Sequence, residues 1–152
     1  MKLQSERFGT IELNDEQVIR FPRGVIGFPK EQEFALIPHG SSQAIAWLQS
    51  LQNASLALPV VSAHALMPNY PDVSLEGPAN QAGLGEDPEQ LAVLAVLCAP
   101  RGQPATVNLL APIVVNATTR TAAQVVLDGT RFSTRELFVL PPESTGTPEA
   151  AE

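Results

Sequence analysis

The chain has 152 residues, 44% of them apolar and only 16% charged, with 16 acidic against 9 basic side chains and a net charge of −7. That length suits one domain with a genuine core, and an acidic chain lacks the Lys and Arg surplus that a direct grip on nucleic acid demands. Fourteen prolines, against a usual usage of about 5%, favour strands and tight turns over long surface helices.

The opening "MKLQSERFGTIEL" has no apolar run of the signal-peptide kind, and no stretch reaches the ~18 apolar residues of a membrane span. A cytoplasmic protein without membrane contacts is therefore expected. Gly9 separates Phe8 from Ile11 and Leu13, which fall out of phase with it at period two, so a turn or bulge is expected there. "NDE" at 14 to 16 reads as the next turn, leading into the strand "QVIRF", with Ile19 and Phe21 on one face. In "FPRGVIGFP", Gly24 and Gly27 sit between Phe21 and Phe28, and Pro22 and Pro29 each follow a phenylalanine. Glycine supplies backbone angles closed to other residues and proline withholds a donor, so the segment reads as an apolar corner between strands.

Further strands are read at "EFALI", "AIAWLQ", "LALPVV", "LAVLAVL", "ATVNLL", "PIVVN", "AQVVL" and "ELFVL". Residues 67–90, rich in Pro, Gly, Asn and acid, form a long excursion with at most a short helix near Asp87 to Leu91. "LAVLAVL" (91–97) and "LLAPIVV" (109–115) are apolar on both faces, which places them in a closed or nearly closed barrel whose outside is partly covered. Pro59 and Pro112 interrupt apolar runs and mark edges, bulges or corners. The expected fold is all-β: a closed or partly open barrel of about nine or ten short strands with at most one or two short helices. It occupies residues 1–140, and the tail 141–152, without apolar periodicity, is expected to be disordered.

Groups able to move protons or hold metals are sparse. His39 and His64 have no second His, Asp or Glu at i+2 to i+4, so no metal site is expected of them. Cys98, the single cysteine, excludes an internal disulfide and reads as a small buried hydrophobe. Glu31 and Glu33 read as exposed charge after a turn. No phosphate-cradling glycine loop or nucleophile elbow is present, so neither catalysis nor a cofactor is expected. A barrel enzyme or small-ligand binder of unknown chemistry is the alternative reading.

Trp47 reads as core or as a contact residue, and the uncharged Gln49, Gln52 and Asn53 follow it closely. Asn108 and Asn116 bracket an apolar stretch, either stitching a strand corner to a loop or lining a surface that another protein completes. Trp47, Gln49, Asn53, Asn108 and Asn116 are the candidate contact or contact-supporting residues. Asp72, Glu76, Glu86 and Glu89 belong to the densest acidic stretch of the middle, either a solvated loop or a docking surface for a basic partner.

Taken together, "FGTIEL", "VIRFPRGVIGF", "FALI", "AWLQSLQNASLAL", "TVNLLAPIVVN" and "AQVVLDGTRFSTR" resemble, in order and spacing, the FliW family of flagellar assembly factors. The likeness runs from about Phe8 to Arg135, with departures at Leu58, in "SAHAL" and at Phe132. It implies a barrel-like cytoplasmic protein without catalytic chemistry. It also implies two partners: flagellin, and the basic RNA-binding translational repressor CsrA, whose hold on flagellin mRNA such proteins relieve noncompetitively.

Overall fold

Short apolar runs cut apart by Gly, Asn and Asp favour antiparallel pairs joined by tight turns, and the structure, a computed structural model, is built of them. It describes residues 2–38, 45–63, 83–85, 90–99, 102–127 and 133–137. Among these lie ten strands: β1 (Lys2–Ser5), β2 (Gly9–Glu12), β3 (Val18–Arg20), β4 (Glu33–Pro38), β5 (Ile45–Ser50), β6 (Ala57–Ser62), β7 (Leu91–Cys98), β8 (Thr106–Asn116), β9 (Thr121–Gln124) and β10 (Glu136–Leu137). The expected turn at 14 to 16 is one 3-10 turn, Asp15–Gln17, where the Gln17 side chain accepts the Asn14 amide at 3.1 Å.

Strands β3 to β9 close into a ring in chain order, and β8 also pairs with β9 so that no gap is left. Each contact is antiparallel except the last, β9 to β3, which is parallel and rests on the single pair Arg20–Thr121. One apolar cluster draws on all the ring strands: Ile19, Phe34, Leu48, Val60, Ile113, Val115 and Ala122, with Leu94 and Val96 against it. That cluster is the barrel interior. A second, with Val61, Val93, Ala95, Val107 and Val114, lies on the outer face of β6 to β8, covered in part by Leu84, Val125 and Leu127. A third joins Leu3, Ile11 and Leu13 of the β1–β2 hairpin region to Ala35 and Ile37 of β4. The two-faced apolar strands are thus explained by a filled ring with a partly clad exterior.

Three details differ from the sequence reading. β1 was not expected; its burial alternates at Leu3 and Ser5 only, too short a pattern to announce a strand. "ATVNLL" and "PIVVN" belong to one strand, bent where Pro112 lies. Between the Leu94–Ile113 and Val96–Asn108 pairs, Ala95 alone faces residues 109–112, a wide bulge that increases twist and bend. "AQVVL" starts earlier, at Thr121, and leaves the regular ladder after Gln124, although Val125 and Leu127 still donate to the carbonyls of Pro112 and Leu110 at 3.0 and 2.8 Å. Pro59 pairs with Trp47 on the β5 side, while the β6–β7 ladder begins only at Val60, so its missing donor interrupts nothing.

The glycine corner after β3 is a double turn. Gly24 donates to Phe21 at 2.8 Å, then Val25 and Phe28 bond each other around Ile26–Gly27. Phe21 is fully buried and meets Phe34 edge-on at 5.2 Å, whereas Phe28 is 41% exposed. Gly24 has φ +68, and a Cβ there would lie 2.5 Å from the Pro29 carbonyl oxygen. Gly27 has φ +93 but open space around it. Gly27→Val should therefore cost only the backbone strain of about 1–3 kcal/mol, and Gly24→Ala should cost more because collision with main-chain oxygens adds to the same strain. Urea denaturation of both variants measures the order.

Candidate functional site

Trp47 stands on the outer face of β5, half-buried, under the turn that links β1 to β2. Phe8 meets its ring edge-on at 5.9 Å, and the Arg7 guanidinium lies 4.2 Å from the ring centroid, a cation–π contact. Ser5 shapes that turn: its hydroxyl accepts the amides of Arg7 and Phe8 at 3.1 and 3.0 Å and donates to Gln49 Oε1 at 2.7 Å. Gln49 is fully buried, and its Nε2 donates to the carbonyls of Ser50, Asn53 and Ala54. The Ala54 carbonyl also accepts the Glu6 amide at 2.9 Å. Two turns distant in sequence are thereby fixed together by one amide side chain.

Ser50 repeats the device on the β5–β6 turn. Its hydroxyl accepts the amides of Gln52 and Asn53 and donates to Glu31 at 2.7 Å. Gln52 accepts the Gln32 amide at 2.8 Å, and Gln32 donates to the Pro22 carbonyl at 3.0 Å, which carries the network to the glycine corner. Asn53 closes its own turn by accepting the Ser55 amide and hydroxyl. Beside Trp47 this leaves a polar cleft of about 350 Å³ lined by Glu6, Arg7, Gln49, Ala54, Ser55 and Ala57.

Asn108 and Asn116 lie on β8, away from this cleft. Asn108 Oδ1 accepts the amides of Leu110 and Ala111 and so holds the bulge. Asn116 is buried; it donates to the Leu84 carbonyl at 2.8 Å and to Gln90 at 3.3 Å, and accepts the amides of Thr118 and Thr119. The hydrogen bonds of Asn116 stitch the end of β8 to the separate segment at Leu84, whereas those of Asn108 stay within β8. Asp72, Glu76, Glu86 and Glu89, with His39, His64 and Phe132, fall outside the described residues.

The structure thus groups Trp47, Gln49 and Asn53 and separates them from Asn108 and Asn116. Sequence reasoning missed Ser5, Arg7, Phe8 and Ser50; the available signal was a serine at a strand end followed by turn residues, the pattern of a hydroxyl that caps its own turn. Two expectations are corrected. Cys98 is exposed, because it ends β7 rather than lying within it. Glu31 and Glu33 are both half-buried: Glu31 receives the Ser50 hydroxyl, since the glycine corner folds it back onto the β5–β6 turn, and Glu33 is the first residue of β4.

Among the described residues no three His, Cys, Asp or Glu side chains converge as metal ligands would, and no helix is long and apolar enough to cross a membrane. Fold and site together define a small closed β-barrel whose polar side chains are committed to turns, bulges and seams. The FliW family profile matches residues 2–138. The chain is 37% identical over its full length to the flagellar assembly factor FliW of Desulfitobacterium hafniense, with all of that protein covered. It is 38% identical to the FliW of Heliobacterium modesticaldum across 89% of this chain and 88% of that one. A crystal structure of the flagellar assembly factor FliW superposes with a TM-score of 0.77 at 28% identity, covering 90% of this chain and 96% of the other. The chain belongs to the FliW family of flagellar assembly factors. Leu58 packs against the barrel interior.

Gln49 and Asn116 are the buried amide side chains, each with several hydrogen-bond partners. Gln49→Leu and Asn116→Leu should each cost about 1–3 kcal/mol for every buried partner left unsatisfied, whereas Asn53→Ala, on a half-exposed turn, should cost less. Chemical denaturation of the three variants tests that ranking.

Proposed function

We propose that this protein is a cytoplasmic partner-switching factor. It docks on the translational repressor CsrA away from the RNA and relieves repression of flagellin mRNA, and free flagellin captures it in turn. The observation that carries this reading is the family match across residues 2–138 with the glycine corner and the β8 asparagines in place. Two features support it further. The net charge of −7 favours encounter with a basic partner, and negative potential brought near an RNA site weakens phosphate contacts without overlapping them. Trp47, braced by Phe8 and Arg7 near a buried, hydrogen-bonded Gln49, is a pre-organised aromatic of the kind that anchors interfaces. In this reading Trp47 and Asn53 make contact, Gln49, Asn108 and Asn116 support it from beneath, and Asp72, Glu76, Glu86 and Glu89 steer the approach.

Titration of the purified protein into a complex of the repressor with a flagellin leader RNA should free the RNA, and added flagellin should restore the bound state. RNA that stays bound at saturating protein rejects the reading. Neutralising Asp72, Glu76, Glu86 and Glu89 together should slow association with the repressor and flatten its salt dependence, as rim charges do. Trp47→Ala should instead raise the dissociation rate, with a loss of about 2 kcal/mol or more if it is an interface anchor. Stopped-flow and surface-binding kinetics separate the two effects.

A further inference from the structure

The ring is least complete at its parallel seam. β3 meets β9 only at Arg20–Thr121, with the Arg20 amide donating to the Arg120 carbonyl at 2.9 Å, and then turns away into the glycine corner. Beyond that point β9 keeps β8 on one side. The Val125–Pro112 and Leu127–Leu110 hydrogen bonds fix the phase of that ladder: residues 123, 125 and 127 point their amides at β8. In an antiparallel pair the alternate residues face the other way. Gln124 and Val126 therefore present main-chain N–H and C=O groups toward the seam, where no main-chain partner from the described residues meets them.

A cleft of about 290 Å³ opens along this edge, walled by Arg23, Gly24, Val25, Ile26, Gly27 and Pro29 opposite Ala123 and Gln124. The Gln124 side chain spans its floor, accepting the Ile26 amide at 2.9 Å and donating to the Ala111 carbonyl at 2.9 Å. Of the four strongly exposed large apolar side chains among the described residues, three are here: Ile26 at 59%, Phe28 at 41% and Val126 at 47%. The charge around the cleft opposes that of the chain. Arg20 and Arg120 meet across the seam and Arg23 lines its wall, three of nine basic residues in the whole sequence, and Lys30 follows the wall residue Pro29 in the chain. Arg20, Lys30 and Arg120 make no ion pair among the described residues; the neighbouring acids are Glu33, opposite Arg20 on β4, and Glu31, next to Lys30 and engaged by the Ser50 hydroxyl.

From the free strand edge, the apolar rim and the local positive charge we infer that the β9 seam is a docking site for an acidic, extended peptide segment of a partner protein. The segment adds as a strand along Gln124–Val126, seats alternate apolar side chains against Ile26 and Val126, and directs its carboxylates at Arg20, Arg120 and Lys30. This surface is separate from the Trp47 cleft, and the inference stands without the switching role proposed above.

The test uses the full chain and two fluorescein-labelled hexapeptides, DVEVDV and KVKVKV, followed by anisotropy and by amide resonances of the isotope-labelled protein. The acidic peptide should bind at least about tenfold more tightly than the basic one at low salt, shifting the amides of Gln124 and Val126. Val126→Pro, which removes one edge donor and none of the bonds to β8, should abolish those shifts. Arg20→Gln combined with Lys30→Gln, both on exposed positions, should weaken binding severalfold with the melting temperature unchanged, and serves if the proline variant fails to fold. Equal binding of the two peptides, absence of binding, or shifts confined to residues remote from β9 would overturn the inference.

Discussion

A ring made of an odd number of strands cannot alternate direction all the way round, so one neighbouring pair must run parallel. In this barrel that obligation falls on β9 and β3, and much else follows from how it is met. Parallel strands in sequence-distant positions need no hairpin, and here they are brought together by β8, whose bulge at 109–112 bends the strand so that β9 returns beside β3. Asn108 holds that bend, Pro112 sits where no donor is needed, and the Gln124 side chain ties the bent segment to the glycine corner. Closure thus rests on a few neutral side chains.

That arrangement also accounts for the division of apolar residues. Inner positions of all the ring strands fill the barrel, while the outer positions of β6 to β8 and of β4 acquire separate cladding. The β1–β2 hairpin is part of that cladding, and its turn brings Arg7 and Phe8 onto Trp47. Fold and candidate surface are therefore one construction: the pieces that protect the outside of the ring are the pieces that hold the aromatic in place.

How much of this was legible beforehand differs from element to element. The all-β class, most of the strands and the role of the glycine corner follow from period-two patterning and from the backbone demands of Gly24 and Gly27, which are local. The single long β8 was hidden because Pro112 ordinarily ends a strand, and only a bulge with its own hydrogen-bond partners lets the strand continue. The pairing of Ser5 with Gln49 was hidden for a different reason: the two are 44 residues apart, and nothing in either neighbourhood specifies the other. Cys98 looked buried because its run is apolar, yet as the last residue of β7 it is left exposed.

The polar framework beneath the surface is built almost wholly of amides and hydroxyls, from Ser5, Gln49, Ser50, Asn108, Asn116 and Gln124, with Glu31 its charged member. The ion pair between Lys2 and Glu12 stands apart from it, in open solvent at 3.9 Å. A skeleton of this kind draws little of its cohesion from Coulombic attraction, which leaves the charged exterior free to be rewritten. Relatives could exchange their acids and bases, and so their partners, while keeping the same scaffold upright.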